Sequence, residues 1–144
     1  MLERLRTSLC SRLGSSSGSS LGSPWRWAAA VLLLVTSGTH VPLIPEHLEE
    51  APYVGVLFIL LAVVSVVLAA LVVLWDTPLV WTASGVTTLL AVVAFLLSRT
   101  VGLPEIGDDI GNWTEPLGFP AVGAESLTTV VTLAVLCRRA DRLR

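Results

Sequence analysis

The sequence predicts an all-α, membrane-embedded bundle of four antiparallel transmembrane helices. Of the 144 residues, 53% are apolar and only 14% are charged, whereas about a quarter of the residues in a soluble domain are charged. The apolar residues are also concentrated in four stretches, each near the length of about 20 residues that a helix needs to cross a bilayer. These predicted spans are residues 25–41, 53–75, 79–98 and 119–137.

The last three spans are the clearest. Residues 53–75 contain no charged side chain, and Asp76 follows them directly. The link to the next span is so short that these two helices must run antiparallel. The third span ends before Arg99, and the fourth ends before Arg138 and contains one acid, Glu125.

The first span is shorter, and two interpretations of it remain open. If Pro24 lies in the first helical turn, where its missing N–H is tolerated, a helix to Val41 is about 27 Å long and just reaches across the hydrocarbon. The alternative is a cleaved signal peptide, with an arginine-bearing start, a short apolar stretch and the small residues Ser37 and Gly38 at the cut. The four-span interpretation is favoured because no A-x-A-like site follows the apolar stretch and a long tail precedes it.

Residues 1–24 form a predicted flexible cytoplasmic tail that is rich in Arg, Ser and Gly. Residues 11–24 read SRLGSSSGSSLGSP, a composition typical of a flexible linker. Ahead of it, leucines recur at helical spacing beside arginines, which is consistent either with a short amphipathic helix on lipid or with a disordered tail. The leucines are Leu2, Leu5, Leu9 and Leu13.

The charges predict the orientation. All nine basic residues are arginine, and with four spans eight of them lie on the side of the two tails. The other side has one arginine, Arg99, and eight acids, of which seven lie in the two connecting loops and the eighth is Glu125 near the start of the fourth span. Because arginine is enriched in cytoplasmic segments, we expect a plasma-membrane protein with cytoplasmic N- and C-termini, the latter a basic tail of residues 138–144.

Small and polar residues at helical spacing predict where the spans meet, because helices in lipid associate through close backbone approach and buried polar contacts. The predicted contact residues are Gly55, Ala62, Ser65 and Ala69 in the second span, Ser84, Thr87, Ala91 and Ala94 in the third, and Glu125, Thr128, Thr129 and Thr132 in the fourth. We expect the fourth group to face the interior of the bundle.

Glu125 is the most informative single residue, because an acid within a span is costly and requires a partner. Arg99 ends the preceding span on the same side of the membrane. We therefore predict an intramembrane ion pair between Arg99 and Glu125 that fixes the relative position of the helices. This pair predicts that Glu125→Gln lowers the yield of folded protein.

The first long loop contains a candidate metal site. Its sequence, HVPLIPEHLEEAPY, places His47 and Glu50 three residues apart on one helical face, with His40 seven residues earlier. Two histidines and a carboxylate suit Zn²⁺ or Cu²⁺. The alternative is a solvated acidic loop without metal.

No catalytic motif accompanies these residues. The sequence lacks G-x-S-x-G, a phosphate-binding loop, H-E-x-x-H and C-x-x-C, so we expect neither an enzyme nor a bound cofactor. Without lysine, and with acidic loops, it offers no surface for nucleic acid. The expected partners are the lipid bilayer and either another membrane protein or a second copy of the chain.

Two segments carry a resemblance. His40, His47-Leu48 and Glu50 to Phe58, with the pattern HLxEAPYxGxxF, and then Gly102 to Gly111, with the pattern GLPxxxDDIG, resemble a group of small bacterial four-span membrane proteins. The resemblance covers roughly residues 27–137. It implies the same four-span topology and draws attention to the two loops, but it implies no reaction, cofactor or substrate.

The sequence therefore predicts a structural or interaction subunit that presents acidic loops outside the cell. The alternative is a protein that binds metal or handles protons or cations through His40, His47, Glu50 and Glu125.

Overall fold

The computed structural model describes residues 23–142. The predicted amphipathic helix of residues 2–13 and most of the Ser/Gly linker lie outside this part of the chain. Within it, the protein is all-helical and has four helices that are long and apolar enough to span a membrane. The predicted fold class is therefore confirmed, and the chain is a multi-pass membrane protein.

The four long helices are joined by two irregular segments and one tight link. A short helix, α2, follows the first long helix, and two single-turn 3-10 helices lie at residues 41–43 and 107–109. The helices are α1 (Ser23–His40), α2 (Ile44–Glu50), α3 (Pro52–Leu74), α4 (Pro78–Thr100) and α5 (Gly118–Asp141).

The long helices run alternately up and down. One end of the bundle, which we call the loop end, has α2 and residues 101–117. The other, the tail end, has the link at residues 75–77, the start of α1 and the end of α5. Helix α1 packs mainly on α3 and α5, and α4 packs mainly on α5. Helices α3 and α4 are consecutive but contact each other less.

Two prolines shape the end of α1. Pro42 and Pro45 each lack the N–H that would continue the helical hydrogen bonds, and proline rings also clash with the preceding turn. The helix therefore tightens to one 3-10 turn at Val41–Leu43 before α2 begins. His40 is thus the last residue of α1, and α2 lies across the loop end, where Leu48 contacts Gly55 of α3 so closely that no Cβ fits there.

The apolar core lies toward the tail end and includes side chains from all four long helices. Trp81 of α4 is its largest member and is 1% exposed. Around it lie Ala29, Ala30 and Leu33 of α1, Leu68, Ala69 and Val72 of α3, Val80 of α4 and Val135 of α5. The alanines let the backbones of α1 and α3 approach closely, as expected for helices in lipid.

The small residues of α3 lie where the sequence predicted. Gly55, Ala62, Ser65 and Ala69 are all buried, and α3 packs on α1. On α5 the predicted polar face is also confirmed, since Glu125, Thr128 and Thr132 are buried in the bundle.

Polar contacts hold the tail end together. Trp81 Nε1 donates a hydrogen bond of 2.6 Å to Asp76 Oδ1 in the link between α3 and α4. Arg139 of α5 forms an ion pair with the same carboxylate and donates to the Asp76 carbonyl oxygen at 3.0 Å. Asp76 thus joins the α3–α4 link to α5. Helix α5 continues through Arg138 and Arg139 and ends at Asp141.

Candidate functional site

The candidate site is a cavity of about 480 Å³ between α3 and α4, toward the loop end. It forms because α3 packs mainly on α1 while α4 packs mainly on α5. Most of its wall is apolar. The wall includes Leu57, Phe58, Leu61 and Val64 from α3 and Leu90, Ala91, Ala94 and Phe95 from α4.

The small residues of α4 explain why the gap stays open. Sequence reasoning predicted that Ser84, Thr87, Ala91 and Ala94 lie at a helix contact, and this is correct for Ser84, which is fully buried. For the other three it is wrong, because Thr87, Ala91 and Ala94 line the cavity and Ala94 is exposed. Short side chains on α4 leave room that the neighbouring helix does not fill.

Helix α4 makes its close contact on another face. Gly85 lies against Thr132 of α5, where an added Cβ would stand 2.7 Å from the Thr132 methyl group. The hydroxyls of Thr88 and Thr129 form a hydrogen bond of 2.9 Å between the same two helices. This contact turns the stripe of small residues on α4 toward α3 and the cavity.

His40 and Glu125 form the polar end of the cavity. Both line it, and they are 7% and 2% exposed. The His40 Nδ1–H donates to the Thr36 carbonyl oxygen at 2.8 Å. A carbonyl can only accept, so this bond places the hydrogen on Nδ1 and leaves Nε2 facing Glu125.

The contact between these two residues is loose. His40 Nε2 lies 3.7 Å from Glu125 Oε1, which is too long for a hydrogen bond. Within residues 23–142, Glu125 Oε1 is buried and has no hydrogen-bond partner. A buried carboxylate oxygen without a donor is costly, so this atom is available to a group that enters the cavity.

Aromatic rings surround the same polar end. The Phe58 ring packs against His40, with 4.9 Å between ring centroids, and against His47, at 4.8 Å. Phe95 lies across the cavity on α4, where its ring contacts Trp113 and lies under the Arg99 guanidinium at 5.2 Å. Neither Phe58 nor Phe95 was predicted from the sequence to be a site residue.

The predicted ion pair between Arg99 and Glu125 is wrong. Arg99 Nη1 lies 2.6 Å from Asp109 Oδ1, and Nη2 pairs with Glu115. Both partners belong to the segment between α4 and α5. Arg99, Asp109 and Glu115 together form what we call the arginine clamp.

The loop folds back onto α4 because its backbone turns sharply. Gly102 and Gly111 have φ values of 82° and 80°, a region that glycine adopts without strain. The N–H of Gly111 donates to the Arg99 carbonyl oxygen at 3.0 Å, and the Tyr53 hydroxyl donates to the Pro104 carbonyl at 2.6 Å. These turns place Asp109 and Glu115 against Arg99, so Arg99 pairs with them and not with Glu125. The acids of the loop that follows Arg99, at positions 105, 108, 109 and 115, were the sequence feature that could have indicated this.

The structure also corrects the candidate metal site of His40, His47 and Glu50. Among the described residues, no three His, Cys, Asp or Glu side chains lie close enough together to hold a metal ion. His40 and His47 pack against the same phenylalanine, but His47 Nδ1 donates to the Leu43 carbonyl at 2.9 Å and Glu50 is exposed.

Chemically, the site therefore combines an apolar cavity with one unpartnered carboxylate oxygen, two aromatic rings and an arginine already engaged by two acids. No family model, curated protein or solved structure matches the chain.

Proposed function

We propose that this chain is a non-enzymatic membrane protein that binds a hydrophobic or amphipathic molecule in the cavity between α3 and α4. The observation that carries the proposal is the cavity itself. Its volume of about 480 Å³ lies within the range of about 300–1,000 Å³ that is typical of small-molecule sites. Its wall is mainly apolar, and its few polar groups lie together at one end, as in sites that orient an amphipathic ligand.

The position of the cavity mouth supports entry from the bilayer. Leu57, Leu60 and Leu90 line the cavity and are also 55%, 54% and 63% exposed. Leu57 and Leu60 of α3 and Leu90 of α4 therefore lie where the cavity meets the outer surface of the transmembrane helices. A molecule dissolved in the lipid can therefore reach the cavity between α3 and α4.

The test is photolabelling of the protein in lipid nanodiscs with an alkyl alcohol that carries a diazirine. We expect saturable labelling of the segments around Leu61 and Ala91, which excess unlabelled dodecanol suppresses. Ala91→Phe, which fills the cavity, should abolish the saturable part. The matched control is Val93→Phe, because Val93 lies on the lipid-facing side of α4 at 42% exposure. Uniform labelling that dodecanol does not suppress would contradict the proposal.

The orientation is part of the proposal. Cytoplasmic termini in the plasma membrane are supported by the eight arginines in the tails and at their borders and by the acids of the two loops. A fluorescent-protein fusion at Arg144 should be active, as should an alkaline-phosphatase fusion after Glu50. The reverse pattern of activities would overturn this orientation.

We also propose that α1 is retained rather than cleaved as a signal peptide. Ala29, Leu33 and Thr36 of α1 are each 0% exposed, and loss of the helix would uncover the faces of α3 and α5 that it contacts. The intact mass of the purified protein should include α1. A mature N-terminus after Ser37 would contradict this.

A second proposal is that the loop end binds a membrane-protein partner or another copy of the chain. It is favoured by a set of exposed acids that the arginine clamp does not use, namely Glu46, Glu49, Glu50 and Glu105. Replacing the first three with glutamine should abolish a crosslinked complex formed by the wild-type protein. Crosslinking that is unchanged by this substitution would count against the acidic surface.

A further inference from the structure

The charge at the polar end of the cavity restricts what can bind there. The described charged side chains that line the cavity are Arg99, Asp109, Glu115 and Glu125, with His40 and His47 beside them. Both terminal nitrogens of Arg99 already contact the carboxylates of Asp109 and Glu115. The arginine clamp therefore carries one net negative charge before Glu125 is counted, which disfavours a phosphate, sulfate or carboxylate ligand.

Glu125 provides the attractive group. Its Oε1 atom is buried and, within the described part of the chain, accepts no hydrogen bond. His40 does not compensate for this, because its Nε2 atom stands 3.7 Å away. In an apolar surrounding an unpartnered carboxylate is stabilised most by a nearby positive charge or a strong donor.

Phe58 adds a second element that favours a cation. The Phe58 ring packs on His40, which in turn faces Glu125, so the ring and the carboxylate share one end of the cavity. Aromatic faces attract ammonium groups through their quadrupole, and the attraction is strongest where water is excluded. The rest of the wall, formed by residues such as Leu61, Val64 and Leu90, fits an alkyl chain.

We propose that the molecule bound in this cavity is a hydrophobic cation, an amine or quaternary ammonium amphiphile. Its charged group binds the carboxylate of Glu125 beside Phe58, and its chain occupies the apolar space between α3 and α4. This inference rests on the proposed function, since it names the class of ligand for the same cavity.

The experiment compares three competitors that have the same alkyl chain and different head groups. Dodecyltrimethylammonium, dodecanol and dodecyl sulfate each compete with the diazirine alcohol for labelling near Ala91 in nanodiscs, with membrane concentrations corrected from empty nanodiscs. The cationic competitor should act at a concentration about tenfold lower than dodecanol, as expected for one additional favourable charge contact. Dodecyl sulfate should be the weakest of the three.

Two variants test the assignment to Glu125. Glu125→Gln should remove the advantage of the cationic head while dodecanol still competes. Glu49→Gln is the matched control, because it removes an exposed acid from the loop end outside the cavity and should leave the advantage intact. Phe58→Leu should reduce the advantage without removing it, which gives a second readout should Glu125→Gln fail to fold.

The outcomes separate the two proposals. Equal potency of the three head groups, stronger competition by the sulfate, or a cationic advantage that survives in Glu125→Gln would overturn the cation assignment while leaving the cavity as a binding site. If neither saturable labelling nor competition occurs with any head group, both the cavity function and the cation assignment are wrong.

Discussion

Glu125 and Arg99 lie at the same end of the cavity but in opposite electrostatic environments. Arg99 is 5% exposed and contacts two carboxylates. Glu125 is 2% exposed, and its Oε1 atom accepts no hydrogen bond from any described residue. The loop acids provide the carboxylate partners of Arg99, and within residues 23–142 Glu125 Oε1 has no hydrogen-bond donor.

This difference reverses the expected effect of neutralising Glu125. Glutamine has the same shape but avoids the cost of holding a charge in an apolar environment. We therefore expect Glu125→Gln to keep the free energy of unfolding within about 0.5 kcal/mol of wild type or to raise it by up to about 1 kcal/mol. Thermal unfolding in detergent, with Glu49→Gln as the control, measures this. A large loss of folded protein would instead show that the ionised side chain of Glu125 stabilises the bundle.

The arginine clamp should behave in the opposite way. Glu115→Gln removes a charged partner of a buried guanidinium, and we expect the free energy of unfolding to fall by about 1–3 kcal/mol. Glu105→Gln is the control, because Glu105 is an exposed acid of the same loop and its change should stay within about 0.5 kcal/mol. Equal stability of Glu115→Gln and Glu105→Gln would show that the contact between Arg99 and Glu115 contributes nothing to stability.

For single residues, the sequence predicted which charged side chain is buried better than it predicted which side chains form ion pairs. The acid in the fourth span indicated that Glu125 faces the interior, because lipid excludes charge. The partners of Arg99 were not predicted, since they depend on how residues 101–117 fold back. The turns at Gly102 and Gly111 bring Asp109 to the arginine.

The elements meet through small residues, but the stripes of small residues have two different roles. On α3 the stripe is buried. On α4 the part of the stripe nearer the loop end, Thr87, Ala91 and Ala94, lines the cavity. A stripe of small residues shows where two helices could approach. Whether they do depends on the competing contact between α4 and α5 at Gly85 and Thr88.

Gly85 provides a direct test of that competing contact. An added Cβ would stand 2.7 Å from the side chain of Thr132, a β-branched residue that is stiff in a helix. Gly85→Ala should therefore lower the free energy of unfolding by about 1–3 kcal/mol. The matched control is Gly123→Ala in α5, where no atom lies within 4 Å of the added Cβ and where better helix propensity should give a gain of up to about 1 kcal/mol. If both alanines stabilise the protein, α4 and α5 are not in close contact at Gly85.

At the scale of the whole molecule, composition and span length predicted the four-helix architecture. The bilayer sets the length of each helix, and the three-residue link makes α4 run antiparallel to α3. They did not predict the cavity. That feature depends on which pairs of helices pack most closely. The consecutive helices α3 and α4 contact each other less than α3 contacts α1 or α4 contacts α5. Asp76 joins the α3–α4 link to α5 at the tail end, while the helices leave space between them at the loop end.

We propose that this space between α3 and α4 holds one hydrophobic molecule. Native mass spectrometry of protein released from nanodiscs tests it most directly, with wild type compared to Ala91→Phe and Val93→Phe. We expect a one-to-one complex for wild type and Val93→Phe and bare protein for Ala91→Phe. Bare protein in all three samples, or the same bound mass in all three, would contradict it.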